Sequence, residues 1–280
     1  MTLVVARIIE KQIVILSDTK ITSPGEILQG LDNHILKAVI INPNLCICYA
    51  QTIRKALKAL TELEIRSVLN LDLESIQAFL LEKHQNWGND PDFIIASLIP
   101  HPSLHKISDG RLISIPATWL GNQDAFNYYQ QYYEAISKIR DIPLNVSTKM
   151  YSAFTKVSAL RKYDDIGEFT IEVKNDEEGF KYFQSASGVN AVRLNGKGVF
   201  SSVAHKTARD GGYTYSVFAP KKAGIGAVGI HFYQGKLGVL FYPIQQEKPK
   251  IYADVTVDQF KLKVFEEFGF EIAGDTIVEK

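Results

Sequence analysis

The chain has 280 residues, 46% of them hydrophobic and 22% charged, the balance of an ordinary globular protein with material for one large core or two smaller ones. Its 31 Lys and Arg stand against 31 Asp and Glu, so no net charge draws it to nucleic acid or to an anionic membrane. No apolar run approaches the roughly 20 residues that span a bilayer. The short apolar run at the start is broken by Arg7 and followed by Glu10, Lys11 and Asp18, which predicts no signal peptide and a cytoplasmic setting.

The patterns in chain order predict a fold. Strands 3–9 and 12–18 form a hairpin turning at Glu10-Lys11, and a loop with Pro24 and Gly25 follows. Two more strands cover 34–41 and 44–50. Cys46 and Cys48 alternate on the second, without the C-x-x-C spacing of a zinc site, so they read as small buried side chains in a reducing compartment. Helices are predicted over 51–65 and 72–87. The second opens on Asp72 and Glu74 and sets Ile76, Phe79 and Leu80 on one stripe. Strands return at 92–98, 104–108 and 111–115. Helices follow at 124–137 and 145–163, the latter starting near Asn145 or Ser147 with Met150, Phe154, Val157 and Leu160 on a buried face.

From 168 onward strands dominate, at 168–173, 180–186, 191–202, 212–218 and a hairpin 224–242 turning at Gln234-Gly235. A terminal helix, Thr256–Phe268, closes the pattern. Runs apolar on both faces, such as Ile13–Leu16, must be covered on both sides. Blocks of strands alternating with helix pairs therefore predict an α+β fold, a four-layer αββα sandwich of two stacked, mainly antiparallel sheets flanked by helix pairs. No linker or repeat divides the chain, so residues 1–280 read as one domain with an enlarged strand-rich part at about 180–280.

Function is concentrated at the start. With Met1 removed, the chain begins at Thr2, which carries a hydroxyl nucleophile and, in its free α-amine, a base of pKa near 7.7–8.0. If the hairpin turns at Glu10-Lys11, cross-strand partners have numbers summing to 21, so Leu3 faces Asp18 and Thr2 faces Thr19. Lys37 is a lysine inside an apolar strand, costly unless paired, and Asp18 is its predicted partner. A cation beside Thr2 would depress the pKa of the hydroxyl and the amine. The pair reads equally as a structural ion pair, and both readings stay open at this point.

These residues carry a resemblance. Thr2-Leu-Val-Val-Ala and Ile15-Leu-Ser-Asp-Thr-Lys20 resemble the opening of the proteasome β-subunit branch of the N-terminal nucleophile (Ntn) hydrolases, over most of residues 1–175. That family places an aspartate sixteen residues after its threonine, as Asp18 follows Thr2. It also places a lysine fourteen residues before a small-residue turn, as Lys37 precedes Gln51. The resemblance implies Thr2 as nucleophile, its amine as base, Lys37 as electrostatic activator and Asp18 as its orienter, with Thr19 and Lys20 in support. It implies an oxyanion and substrate cleft at Gln51, Gly121 and Asn122, within a Trp119–Ala125 turn like the family's Gly-Ser-Gly, and a closing segment at Asp164, Asp165, Ile166 and Gly167. Gln51 stands where the family has glycine, and Asn122 and Ile166 where it has serine.

The implied activity is hydrolysis of amide bonds, peptides first, through an acyl-enzyme and without metal or cofactor, by a homo-oligomer, in this family a ring. An inactive proteasome-like scaffold and a small-molecule amidohydrolase are the alternatives. Other motifs read blandly. Gly224-Ile-Gly-Ala-Val-Gly229 matches G-x-G-x-x-G but precedes a hairpin instead of a helix, so it predicts a close-packed glycine strand. His101 and His105 flank Pro102 with no acid between them, a weak metal pattern. Tyr128–Tyr133 predicts an aromatic helix face. Ser201, Ser202, His205, Asp210 and Ser216 lack a nucleophile-elbow turn.

Overall fold

The computed structural model describes residues 2–20, 34–67, 72–138, 144–158, 169–183, 185–190, 212–246 and 248–274. Among them the protein is α+β, with five helices and strands whose pairings are all antiparallel. The first sheet centres on the hairpin β1 (Leu3–Ile9) and β2 (Gln12–Ser17), with β8 (Ala117–Gly121) beside β1, and β9 (Ile171–Asp176) then β10 (Gly179–Tyr182) beyond β2. The hairpin register pairs Val4 with Ser17 and Ile9 with Gln12, the predicted sum of 21. Glu10 turns the chain in a left-handed conformation, φ 56°.

The second sheet runs in sequence order: β3 (Ala38–Asn42), β4 (Leu45–Ala50), β5 (Asp92–Ser97), β6 (Ser103–Ser108) and β7 (Arg111–Ser114). Where two sheets are predicted, three are found. Strands β11 (Ser185–Asn190), β12 (Gly212–Pro220), β13 (Val228–Phe232), β14 (Leu237–Phe241) and β15 (Lys250–Tyr252) make a sheet of their own, with β16 (Ile272–Ala273) paired to β12. The sequence places strands but not their neighbours, and these strands pair with one another instead of extending the other sheets.

Side-chain alternation explains how the first sheet is covered. Val4, Ala6, Ile13 and Ile15 join an apolar cluster shared by all three sheets. Leu3, Val5, Val14 and Leu16 face the other way, against helices α3 (Gln123–Ser137) and α4 (Val146–Ser158). Both faces are apolar because both are buried, each such side chain contributing about 1.5–3 kcal/mol. Helix α1 (Ile53–Ser67) packs on β3 and β4, and α2 (Leu73–Asn86) on β5 and β6. Helix α5 (Val257–Phe268) lays Phe260 and Val264 on the third sheet, against Phe218 and Leu240.

Local signals match these elements. Asp72 caps α2 by accepting from the Ser75 N–H at 2.7 Å, and its stripe of Ile76, Phe79 and Leu80 is buried. Thr256 and Gln259 form a capping box on α5, and left-handed Gly269 ends it. Met150, Phe154 and Val157 are buried on α4, while predicted Leu160 lies outside the described residues. So do strand 191–202 and Ser201, Ser202, His205 and Asp210. The glycines of the G-x-G-x-x-G stretch serve packing. A Cβ on Gly226 would stand 2.4 Å from the Ile40 oxygen, and one on Gly224 2.4 Å from the Pro43 ring. Only a hydrogen fits where this segment crosses the second sheet. No helix among the described residues is long and apolar enough to cross a membrane.

Candidate functional site

Thr2 lies where β1 begins, between two strands. On the β2 side the ladder continues past its last regular pair, because the Asp18 N–H donates to the Leu3 oxygen at 3.2 Å. The reciprocal bond is made by a side chain, the Leu3 N–H donating to Asp18 Oδ1 at 2.9 Å. On the β8 side the Asn122 N–H donates to the Thr2 oxygen at 2.7 Å. Gly121 makes that approach possible. Its φ is +102°, and a Cβ there would sit 1.8 Å from the Thr2 oxygen. Thr2 is thus held by its own main-chain bond to Asn122 on the β8 side and through its neighbour Leu3 on the β2 side. It keeps 7% of its surface exposed, and its hydroxyl makes no hydrogen bond among the described residues.

Lys37 reaches the same end of the sheet. Its ammonium donates to Asp18 Oδ2 at 2.7 Å, with both side chains essentially fully buried. The same oxygen accepts from the Lys20 N–H at 3.0 Å. Asp18 therefore ties together β1, the chain after β2 and the approach to β3 through three donors, the arrangement a buried carboxylate requires. Tyr49 stands close by and donates its hydroxyl to the Leu36 oxygen at 2.7 Å. Burial first, then the charge of Asp18, raises its pKa, so it stays a neutral donor. The predicted Asp18–Lys37 pair forms.

The remaining predicted residues divide. Thr19 is buried, and its hydroxyl lies 2.9 Å from His34 Nδ1. Gln51 has φ 78°, a left-handed conformation that glycine adopts without strain and that other residues adopt at a cost. Its side-chain amide donates to Asp92 Oδ2 at 3.0 Å, so the amide is engaged at the start of β5. The Asn122 side chain caps α3, accepting from the Ala125 N–H at 3.0 Å. Asp164, Asp165, Ile166 and Gly167 lie outside the described residues.

His34 is the site residue that the sequence did not single out. It forms a bridge with Lys20, and its ring packs edge-on to Phe169 with centroids 5.3 Å apart. The adjoining Ile35 N–H donates to the Thr19 oxygen at 2.7 Å. Loss of hydration on burial, then the charges of Lys37 and Lys20, push its pKa down to about 3. The imidazole is neutral across the physiological range. Its only advance signal is a histidine three residues before a buried lysine, which no spacing rule picks out.

The depressed value has a consequence for stability. The unfolded chain binds a proton on His34 near pH 6.5 and the folded protein does not. Its contribution to stability is complete above pH 6.5 and is lost as pH falls through 6.5 toward 3. Because the residue is partly exposed, the loss between pH 7 and pH 5 is about 1–2 kcal/mol. Urea unfolding at the two pH values is expected to show this loss in the wild type, and a smaller one in His34→Asn.

Other clusters are structural. Cys46 and Cys48 are free and buried, and burial raises the Cys46 thiol pKa well above its usual range. His84 joins two loops, its Nδ1 2.9 Å from the Pro91 oxygen and its Nε2 accepting from the Gly110 N–H at 2.9 Å. Tyr129 is buried on α3, stacked toward Phe126 and Tyr133, and forms the predicted aromatic face against the first sheet. Among the described residues no group of three or more His, Cys, Asp or Glu is placed to hold a metal ion. The sequence matches no protein-family model, and no curated protein matches it.

Proposed function

We propose that the protein is a threonine-type N-terminal nucleophile hydrolase, similar to proteasome β-subunits, that cleaves amide bonds, peptides first, after loss of Met1. The observation that carries this reading is the buried Lys37–Asp18 pair at 2.7 Å, with Asp18 also holding the nitrogen of the residue after Thr2. A cation held by the carboxylate that also binds the residue after a threonine is the kind of partner that activates such a nucleophile. The left-handed Gln51 adds support, since it keeps the backbone of a glycine turn and leaves its N–H as a donor for an oxyanion. In this reading the first two sheets, with α1 and α2 outside one and α3 and α4 outside the other, are the four-layer sandwich, and the third sheet with α5 is an addition. Assembly into a homo-oligomeric ring belongs to the same reading.

The chemistry then runs through one residue. Thr2 Oγ attacks the substrate carbonyl while the α-amine takes the hydroxyl proton, and the resulting ammonium returns it to the departing amine. Water, deprotonated by the same amine, cleaves the acyl-enzyme ester and releases the acid. Lys37 stabilises the oxygen as its charge develops. Intact mass should show that Met1 is absent. Thr2→Ala is expected to abolish both turnover and acylation by a β-lactone while leaving the unfolding transition intact.

The capping role of the Asn122 side chain favours a second reading, a proteasome-like subunit without activity. Protein that has lost Met1 yet takes up no β-lactone is the result that reading requires. A panel of peptides against small acyl amides separates a protease from a small-molecule amidohydrolase.

A further inference from the structure

Helix α5 has an apolar side turned to solvent as well as one turned to its sheet. Phe260 and Val264 form the buried stripe on the third sheet. Asp258, Leu262, Phe265 and Gly269 follow one another at intervals of four, three and four residues, which sets them on a second stripe along the outward side. All four are exposed, Leu262 by 55% and Phe265 by 49%. At the C-terminal end of this stripe lies a cleft of about 530 Å³, walled by Ile225, Tyr242, Phe265, Phe268 and Phe270. The rings of Tyr242, Phe268 and Phe270 pack on one another at 5.7–6.2 Å, so the cleft floor is firm and aromatic.

Charge divides this face into two ends. The N-terminal end carries Asp254 and Asp258, both exposed, and the C-terminal end carries Lys221 and Lys222 at the cleft. Lys221 pairs with Glu271, whereas Lys222 and Asp258 make no ion pair or hydrogen bond among the described residues. Such a face is complementary to itself. A two-fold axis across α5 lays two copies of the helix antiparallel, with Leu262 of one against Phe265 of the other and Asp258 against Gly269, beside Lys222. A Cβ on Gly269 would meet nothing within 4 Å, so the space there is open. We propose that α5 and its cleft form a two-fold contact surface for a second copy of this chain, closed by Leu262 and Phe265 and kept in register by Asp258 on the partner's Lys222. Antiparallel pairing also opposes the helix dipoles. The acidic end argues against an anionic membrane as the occupant, since a helix lying on one surrounds its apolar stripe with Lys and Arg. The contact goes beyond the hydrolase reading and does not depend on it. It also differs from a ring contact, which joins two different surfaces head to tail, whereas this surface meets itself.

Sedimentation velocity of the full-length protein over a concentration series tests the contact, with thermal unfolding as the check on folding. Wild type is expected to double in mass as concentration rises, whatever assembly it starts from. Phe265→Glu should weaken that step by about tenfold or more, because it sets a carboxylate in the apolar centre twice. Asp258→Lys and Lys222→Glu should each weaken it by about tenfold, since each places like charges across the axis. Mixed in equal amounts, the two charge variants should recover to within about threefold of wild type, as a species with one chain of each. Each chain then offers the charge that the other needs, a recovery that no effect within one chain produces. A wild type that never doubles, or one whose doubling survives Phe265→Glu, overturns the contact. Weakening in both charge variants without recovery in the mixture overturns the two-fold register. Should Phe265→Glu lower the unfolding temperature, Leu262→Glu makes the same test from outside the cleft.

Discussion

Lys37→Met is expected to destabilise the protein by about 3–5 kcal/mol, because it leaves the Asp18 carboxylate buried without its counter-charge. Asp18 has essentially no exposed surface, and the Leu3 and Lys20 N–H groups also donate to it. Those donors hold the carboxylate in place but bring only partial charges, so they do not replace the ammonium. Asp18→Asn alone is expected to cost a similar amount, since it strands the Lys37 ammonium and removes one of the two acceptors. The double variant, Asp18→Asn with Lys37→Met, buries no charge. Its loss should be smaller than the sum of the single losses by about 1–3 kcal/mol. Urea unfolding of the four proteins closes the cycle. The same set separates structure from chemistry. If Lys37 activates Thr2, the double variant recovers stability without recovering β-lactone acylation. Full recovery of both would reduce the pair to an ion pair that merely holds three segments together.

Much of this site could be read in the sequence because its logic is local. The sum-of-21 register follows from one turn at Glu10-Lys11, and it delivers Asp18 to Leu3 without knowledge of the rest of the fold. Lys37 announces itself by being a charge between Leu36 and Ala38, and burial then dictates a partner. The glycine-rich stretch 224–229 was legible for the same reason, since a hairpin follows it where a dinucleotide site needs a helix.

What the sequence hid depends on distance along the chain. Residues 34–37 look like the start of a strand, yet β3 begins at Ala38, because Ile35 bonds to Thr19 and His34 bridges to Lys20. Apolar pattern cannot distinguish a residue in a ladder from one bonded to a loop end. The third sheet was hidden because strand order is set by pairings that periodicity does not encode. His34 was hidden because its role comes from Thr19, Phe169 and two lysines that meet it only in the folded protein.

Gly121 was singled out in the sequence for the cleft, but its close approach to the Thr2 carbonyl was not, and Gly121→Ala is expected to be the most damaging conservative change near Thr2. Two penalties combine. A φ of +102° is unfavourable for any residue with a Cβ, at about 1–3 kcal/mol. The added methyl would also stand 1.8 Å from the Thr2 oxygen and 2.5 Å from its carbonyl carbon, so β1 and β8 must separate, a packing penalty of about 1–3 kcal/mol. Gly88→Ala is the matching control. Its φ is +78°, but a Cβ there meets nothing within 4 Å, so it carries the backbone penalty without the collision. The difference between the two in urea unfolding measures the collision alone and should fall at about 1–3 kcal/mol. The collision falls on Thr2 itself. Moving its carbonyl breaks the bond from the Asn122 N–H at 2.7 Å, the main-chain bond that holds Thr2 against β8. Gly121→Ala should therefore lose β-lactone acylation even under conditions where it remains folded, and Gly88→Ala should keep it. Equal acylation in both would mean that the position of the Thr2 main chain does not govern its hydroxyl.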